Sequence, residues 1–227
     1  MLSIRSRCWL CRQPLSLIRH GICSCCLRHL PAHPPCCLRC GLPAGKTRTP
    51  CGRCLQRPPP WQRLVFVGDY VAPLSQLVKK FKFHRAPELA PTLARLMLLR
   101  WQQARREQYL NRPDLILAVP LYATRCWHRG YNQSDLLARP LARWLGCTYQ
   151  PAALRRVRKT APQQRLSAGV RRRNLQRAFV CVASVSGRHI ALVDDVVTTG
   201  STVAQIAALL QRQGAASVQI WCICRTL

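Results

Sequence analysis

Beyond residue 63 the apolar positions of this 227-residue chain alternate between short continuous runs and stretches at helical spacing. Leu64 to Val71, rich in β-branched and aromatic residues, reads as a strand. Leu74, Leu77, Val78 and Phe81 then recur at three- and four-residue intervals, which predicts a helix opening at Pro73. A longer amphipathic helix carrying Leu89, Leu93, Leu96 and Leu99 runs to about Gln108. Leu115 to Val119 is the next buried strand, stopped by Pro120, and a helix resumes after Gln133. Ile190 to Val193 forms another apolar run, and Val203, Ile206, Ala207 and Leu210 mark a helix behind it. The first 57 residues read instead as short polar loops around cysteines. Pro58, Pro59 and Pro60 make a stiff break. The expected division is a cysteine-rich unit at 1–57, a proline linker at 58–62 and a second unit at 63–227.

The run ending at Val193 leads into two adjacent carboxylates, Asp194 and Asp195, then two apolar residues, then Thr198, Thr199, Gly200, Ser201 and Thr202. A helix N-terminus offers free backbone N–H groups and a partial positive charge, both suited to a phosphate. Gly200 lets the backbone approach closely, and the neighbouring hydroxyls add donors. Two carboxylates beside an anion cradle make sense if the ligand is a sugar phosphate, with the ribose hydroxyls on the acids. The plainer alternative is a strand-to-helix turn whose Asp and Thr only cap the helix. Over thirteen unbroken positions, Ile190 to Thr202, the stretch resembles the 5-phosphoribosyl-1-pyrophosphate (PRPP) binding motif of type I phosphoribosyltransferases.

Ten of the 15 cysteines fall within the first 54 residues, eight of them in four C-x-x-C pairs: Cys8/Cys11, Cys23/Cys26, Cys37/Cys40 and Cys51/Cys54. Two such pairs suit a tetrahedral zinc ion, which gives two structural zinc sites. Disulfides are the competing reading; with no export signal the thiols stay reduced, which favours metal. Sequential and crossed pairings both remain open, and Cys25, Cys36 or His20 could replace a named ligand. Metal is expected to supply much of this segment's stability. Gly41 to Thr47 resembles a phosphate-binding loop but is one residue short and follows no strand, so no ATPase site is read there. Cys126, Cys147, Cys181, Cys222 and Cys224 lack ligand spacing and read as small core residues.

Charge narrows the partners. The net charge is +29, from 36 Lys and Arg against 7 Asp and Glu. Eight zinc-bound thiolates would lower it to about +25. Such a balance favours phosphate-rich partners, nucleic acid or a pyrophosphorylated substrate. From Leu136 to Val193 there are 12 Lys and Arg and no acid, including Arg155 to Lys159, at the end of a strand, and a mobile loop around Gln163. Basic loops of this kind close over a polyphosphate or line a nucleic-acid groove. The loop after Pro120 carries Arg125, His128, Arg129, Asn132 and Gln133, and its arginines could clamp a pyrophosphate. Lys79, Lys80, Lys82 and Arg85 read chiefly as a solvated helix face. The apolar runs are far shorter than the roughly 18 residues of a membrane span. No insertion is expected, and the protein is read as cytoplasmic.

The order of features resembles the ComF family, the competence-associated proteins that include the GntX-type DNA-utilisation proteins. The resemblance spans nearly the whole chain. It rests on the cysteine pairs ending at Cys51 and Cys54, the proline run, Lys82-Phe83, Val119-Pro120-Leu121 and Arg129 to Gln133. Thr160 to Gln164, Arg173-Asn174-Leu175 and the Asp-Asp/Thr-Thr-Gly motif complete it. The middle elements also echo amidophosphoribosyltransferases. The resemblance implies an α/β, type I phosphoribosyltransferase fold, a mostly parallel sheet flanked by helices. Asp194 and Asp195 would meet the ribose hydroxyls and Thr198 to Thr202 the 5′-phosphate. Pro120, Arg125, Arg129, Asn132, Gln133, Gln163 and Arg173 would serve the pyrophosphate and its loops, with Mg²⁺ bridging. It also implies a role in handling DNA taken up from outside, with single-stranded DNA or nucleotides and DNA-uptake proteins as partners. Two functions follow: PRPP-dependent glycosyl transfer, or a non-catalytic single-stranded-DNA module whose PRPP site is regulatory or vestigial.

Overall fold

The computed structural model describes residues 7–17, 20–31, 35–45, 49–84, 86–121, 130–157 and 178–226. Short helices α1 (Ser24–Arg28) and α2 (Gly52–Gln56) each follow a cysteine. Then come β1 (Arg63–Asp69), α3 (Leu74–Phe83), a 3-10 turn (Pro87–Leu89), α4 (Ala90–Gln108) and β2 (Leu115–Ala118). After them stand α5 (Gln133–Leu145), β3 (Thr148–Tyr149), β4 (Leu154–Arg156) and β5 (Phe179–Cys181). The chain closes with β6 (His189–Val193), β7 (Val196–Val197), α6 (Ser201–Arg212) and β8 (Ser217–Arg225).

The main sheet runs β1-β8-β6-β2-β3, with β7 paired to β8, and every pairing in it is parallel. Parallel strands need crossover helices, which cover both faces, so their residues are apolar on both sides. Alternate residues accordingly go to opposite layers. Ile116, Ala191, Val193 and Trp221 pack with α3, α4 and α5. Leu115, Leu117, Ile190, Leu192 and Ile220 pack with α6 and the β4–β5 pair. This is the type I phosphoribosyltransferase arrangement.

Strand β8 buries Gln219 together with its hydrogen-bond partners. Gln219 accepts from the indole nitrogens of Trp101 and Trp221 at 3.1 and 3.2 Å and donates to the Asn111 carbonyl at 2.8 Å. Without those bonds a buried amide would cost about 1–3 kcal/mol.

Three sequence expectations shift. Leu99 is 40% exposed, because the buried stripe of α4 runs through Leu93, Ala94, Met97, Trp101 and Ala104, and Leu99 lands on the other side. Val196 and Val197, read as part of a turn, form a short parallel strand on β8. The Arg155 segment is a strand, but it pairs antiparallel with β5, outside the main sheet. The cysteine segment packs on the rest of the chain, with Cys8, Leu15 and Ile22 buried in the same cluster as residues of α3, α4 and α5. It shares the core of the rest as well as its candidate metal sites.

Both cysteine lobes lie tight against the sheet domain. Gly21, at φ +67°, sits where an added Cβ would fall 1.8 Å from the Thr92 hydroxyl. Gly41, at φ +72°, lies against the Phe66 ring. Trp61 donates its indole N–H to the Arg39 carbonyl at 2.6 Å, and the Leu64 amide bonds to Leu38 at 3.0 Å.

Candidate functional site

Strand order locates the crevice. From β2 the chain passes through α5 outward to β3; from β6 it passes through α6 the opposite way to β8. The order therefore reverses between β2 and β6, and ligands of open α/β sheets bind beyond the carboxyl ends of strands at such a point. Asp194 and Asp195 follow β6 directly, and Val119 and Pro120 follow β2.

The acidic pair is held from several sides. The Asp194 carboxylate accepts the Ser134 hydroxyl at 3.2 Å and the Asp195 amide at 2.8 Å. Asp195 is 7% exposed and pairs with Lys82 at 2.9 Å. Burial first, then the adjacent Asp195 charge, push the Asp194 carboxyl up to about 7, while the Asp195 amide, Lys82 and Ser134 pull the other way. A site that holds two carboxylates this close, one with a raised pKa, is built for a cation or for hydroxyl groups.

The hydroxyl turn follows at once. Gly200 adopts φ +75°, a left-handed conformation that glycine accepts without a Cβ clash, and so turns the chain into α6. Thr199 donates its hydroxyl to Ser201 at 3.0 Å and accepts the Ser201 amide at 3.4 Å. Asp194, Val196, Val197, Thr198 to Thr202 and Val203 enclose a small hollow of about 40 Å³. Carboxylate, hydroxyls and the α6 N-terminus thus face one space, which suits a phosphate bonded to a polyhydroxylated ring.

Across the crevice, Asn132 caps α5 by accepting the Ser134 amide at 3.1 Å, and it donates to the Val119 carbonyl at 3.1 Å. Gln133 is fully buried at the first position of α5. Pro120 and Asn132 line a separate hollow of about 170 Å³ with Asp135 and Tyr149. Tyr149 donates its hydroxyl to Asp135, which also takes Arg139 at 2.8 Å. Arg125, Arg129, Gln163 and Arg173 lie outside the described residues.

Three contributors were not assigned to the site from sequence. Lys82, grouped with a solvated face, instead lies against Asp195 because α3 ends beside β8. Ser134 carried no signal beyond its place after the Asn132 cap. Arg225 is 8% exposed; its guanidinium donates to the Val197 carbonyl at 3.1 Å, to that of Thr198, and to the Cys40 carbonyl at 3.0 Å. It ties the hydroxyl turn to a cysteine loop 185 residues away in sequence.

The cysteines converge as two quartets, Cys8/Cys11/Cys23/Cys26 and Cys37/Cys40/Cys51/Cys54, with the four sulfurs of each within 4.8 Å of one another. Pairing is sequential, and Cys25, Cys36 and His20 belong to neither quartet. The Cys11–Cys23 and Cys40–Cys51 sulfurs are 3.7 Å apart. A disulfide holds sulfurs near 2.05 Å, whereas a tetrahedron with Zn–S near 2.3 Å spaces them about 3.8 Å apart. The donor set and spacing fit zinc. In each quartet backbone amides favour one thiolate, while burial and the neighbouring sulfurs push Cys26 and Cys54 up. Burial opposes ionisation of Cys8, but N–H groups of Cys23, Cys11 and Leu10 outweigh it and bring that thiol down to about 6. Amides of Cys51, Cys40 and Arg39 likewise overcome burial and bring Cys37 down to about 7. Away from the quartets, burial pushes the Cys224 thiol up to about 12, and Cys181 and Cys222 are buried too, so these behave as core residues. No helix among the described residues is long and apolar enough to cross a membrane.

A phosphoribosyl transferase domain model matches residues 133–227. The chain is 57% identical over 227 residues to DNA utilization protein YhgH of Salmonella typhi, covering 100% of both. It is 41% identical over 222 residues to Competence protein F of Haemophilus influenzae, covering 96% of each. Among solved structures, a glutamine PRPP amidotransferase from B. subtilis aligns with a TM-score of 0.41 at 20% identity, over 63% of this chain and 30% of that one. Identities of 57% and 41% over essentially the whole length of two proteins with these names make this chain a member of the ComF/GntX family of DNA-utilisation and competence proteins.

Proposed function

We propose that the protein binds PRPP with Mg²⁺ at the β6–α6 turn and takes part in the utilisation of exogenous DNA in the cytoplasm. The observation that carries this reading is the placement of Asp194 and Asp195 at the reversal point of the sheet, beside a hydroxyl-lined helix N-terminus. Asp194 and Asp195 hold the ribose hydroxyls, and Thr198 to Thr202 take the 5′-phosphate. Arg125 and Arg129, with Pro120, Asn132 and Gln133 near them in sequence, are assigned to the pyrophosphate, and so are Gln163 and Arg173. Asp194 and Asp195 would also help hold Mg²⁺ with the substrate, and the ion would supply charge neutralisation for the departing pyrophosphate. If group transfer occurs, the acidic pair stabilises positive charge developing at the ribose. The two cysteine quartets each hold a structural zinc in a unit at 1–57, joined through 58–62 to the sugar-phosphate domain at 63–227.

Calorimetry with PRPP and Mg²⁺ tests this reading. Wild type should bind, and Asp194→Asn/Asp195→Asn should lose at least tenfold in affinity. A wild-type protein that ignores PRPP would sink it. Metal analysis of reduced protein should find two zinc ions per chain, and one after Cys37→Ser. The second reading, a single-stranded-DNA module with a regulatory PRPP site, is favoured by an arginine- and tryptophan-lined trough on the other side of the helical layer.

A further inference from the structure

A groove of about 900 Å³ lies where the first cysteine quartet meets α4 and α5. Arg7 and Arg12 reach it from the cysteine loops, Arg95 from α4 and Arg143 from α5, with Trp9 and Trp144 among them. Glu88 is the one carboxylate among its described lining residues. Trp144 also lines a second hollow of about 500 Å³, which holds Arg105, Arg106, Arg112 and Tyr109. The two hollows meet at one indole and make a trough with seven arginines against a single acid. None of these residues belongs to the acidic pair or to the hydroxyl turn.

A solvated helix face would account for the arginines. It does not account for the rings between them, since Trp144 is 41% exposed and Tyr109 94% exposed. Large aromatic side chains left in water between cations are the composition of a single-strand platform. Every base has a face that stacks on an aromatic ring, and guanidinium groups neutralise successive phosphates. Not every arginine is free for this. Arg112 already donates to the Leu145 and Gly146 carbonyls, and Arg105 lies 5.4 Å over the Trp101 ring. Arg7, Arg12, Arg95, Arg106 and Arg143 make no such contact among those described. From Pro91 to Tyr109, α4 runs roughly 27 Å at 1.5 Å per residue, which leaves room for several nucleotides. A duplex keeps its bases stacked on each other and unavailable to the rings, so the trough favours unpaired strands.

We infer that this trough binds single-stranded nucleic acid, with a base stacked on Trp144 and phosphates on Arg95 and Arg143. The inference rests on the DNA-handling part of the reading above and is independent of the sugar-phosphate site. Anisotropy of a labelled oligothymidylate, with zinc-loaded full-length protein at two salt concentrations, tests it. Wild type should bind in a salt-sensitive manner and prefer the single strand to a duplex. Trp144→Ala should lose about tenfold, the scale of one stacked base, while Trp144→Phe keeps a ring and most of the affinity. Arg95→Gln/Arg143→Gln should flatten the salt dependence by about one to two units of slope. Arg212→Gln, on α6, should bind like wild type. Thermal melting and zinc content matching wild type would show that each variant is folded. Equal losses in Arg212→Gln and the trough variants would mean net charge alone and overturn the assignment, as would an unaffected Trp144→Ala or a preference for duplex. A wild type that binds no oligonucleotide removes the DNA-handling reading with it; one that binds while trough variants match it removes the trough alone.

Discussion

At the end of β6 the Asp194 carboxyl is held up to about 7, first by burial and then by Asp195 beside it. An acid raised in the folded state keeps a proton that the unfolded chain has lost between pH ~4 and ~7, so stability falls as pH rises through that window. The penalty is complete above pH ~7. Asp194→Asn should therefore raise Tm most at pH 8, by clearly less at pH 5 where only part of the penalty has accrued, and hardly at all below pH ~4, while weakening PRPP binding at least tenfold. A gain of several degrees corresponds to about 2–4 °C per kcal/mol in a chain of this length. A melting series across pH decides it, and a gain equal at every pH would contradict the argument. Lys82 answers the same crowding differently. Its bond to Asp195 at 2.9 Å is largely shielded, with the two side chains 16% and 10% exposed. Breaking a shielded pair from one side leaves an uncompensated charge. Lys82→Met should cost on the order of 2 kcal/mol by urea denaturation, and far less in an Asp195→Asn background. Equal costs in both backgrounds would show that Lys82 acts through packing and not through its charge.

At the scale of elements, legibility followed periodicity. Strands buried on both faces announced themselves as apolar runs, and β2 and β6 lie within a residue of where Leu115 to Val119 and Ile190 to Val193 put them. The helices α3 and α6 bury the residues their spacing marked. The misreadings came where local pattern yields to pairing. Val196 and Val197 look like turn residues until β8 supplies their partners, and Lys82 looks solvated until α3 is set beside Asp195. Leu99 continues the spacing of Leu89, Leu93 and Leu96 for one step too many, since Met97 and Trp101 carry the stripe onward. The motif around Gly200 was legible because its chemistry is local: acid, turn and helix start are contiguous. Its backbone gives a direct test. An added Cβ at Gly200 would meet nothing nearer than Trp61 at 3.5 Å, so space is available and the obstacle is the φ of +75°. Gly200→Ala should cost about 1 kcal/mol of stability through strain alone. Because the strain falls on the amides proposed to face the phosphate, PRPP affinity should fall about tenfold; unchanged affinity in calorimetry would place the phosphate elsewhere.

Across the whole molecule, the informative contacts join segments that no local pattern relates. Strand order could not be read from apolar runs, nor could the packing of Cys8, Leu15 and Ile22 into the core of the helical layer. The family resemblance supplied the fold; the docking of the cysteine loops came only from the structure. Arg225 is the clearest case. It stands at the last residue of β8, and one guanidinium bonds the carbonyls of Val197 and Thr198 in the turn and that of Cys40 in the second quartet. Trp61 adds a second link, donating to the Arg39 carbonyl while its ring lies under Gly200. Zinc at the second quartet, as proposed, would therefore bear on the geometry of the turn proposed for the phosphate. Two sites that share rigid intermediates in this way have a coupling free energy, commonly 5- to 150-fold in affinity. Removing zinc from wild type with a chelator should weaken PRPP binding about tenfold without unfolding the sheet domain. Arg225→Met severs the guanidinium link, so the variant should start with weaker binding and lose little more on chelation. Calorimetry on the four species closes the cycle. Equal losses from chelation in wild type and Arg225→Met would show that the second quartet reaches the turn by another route, with the Trp61 contact as the remaining path between them.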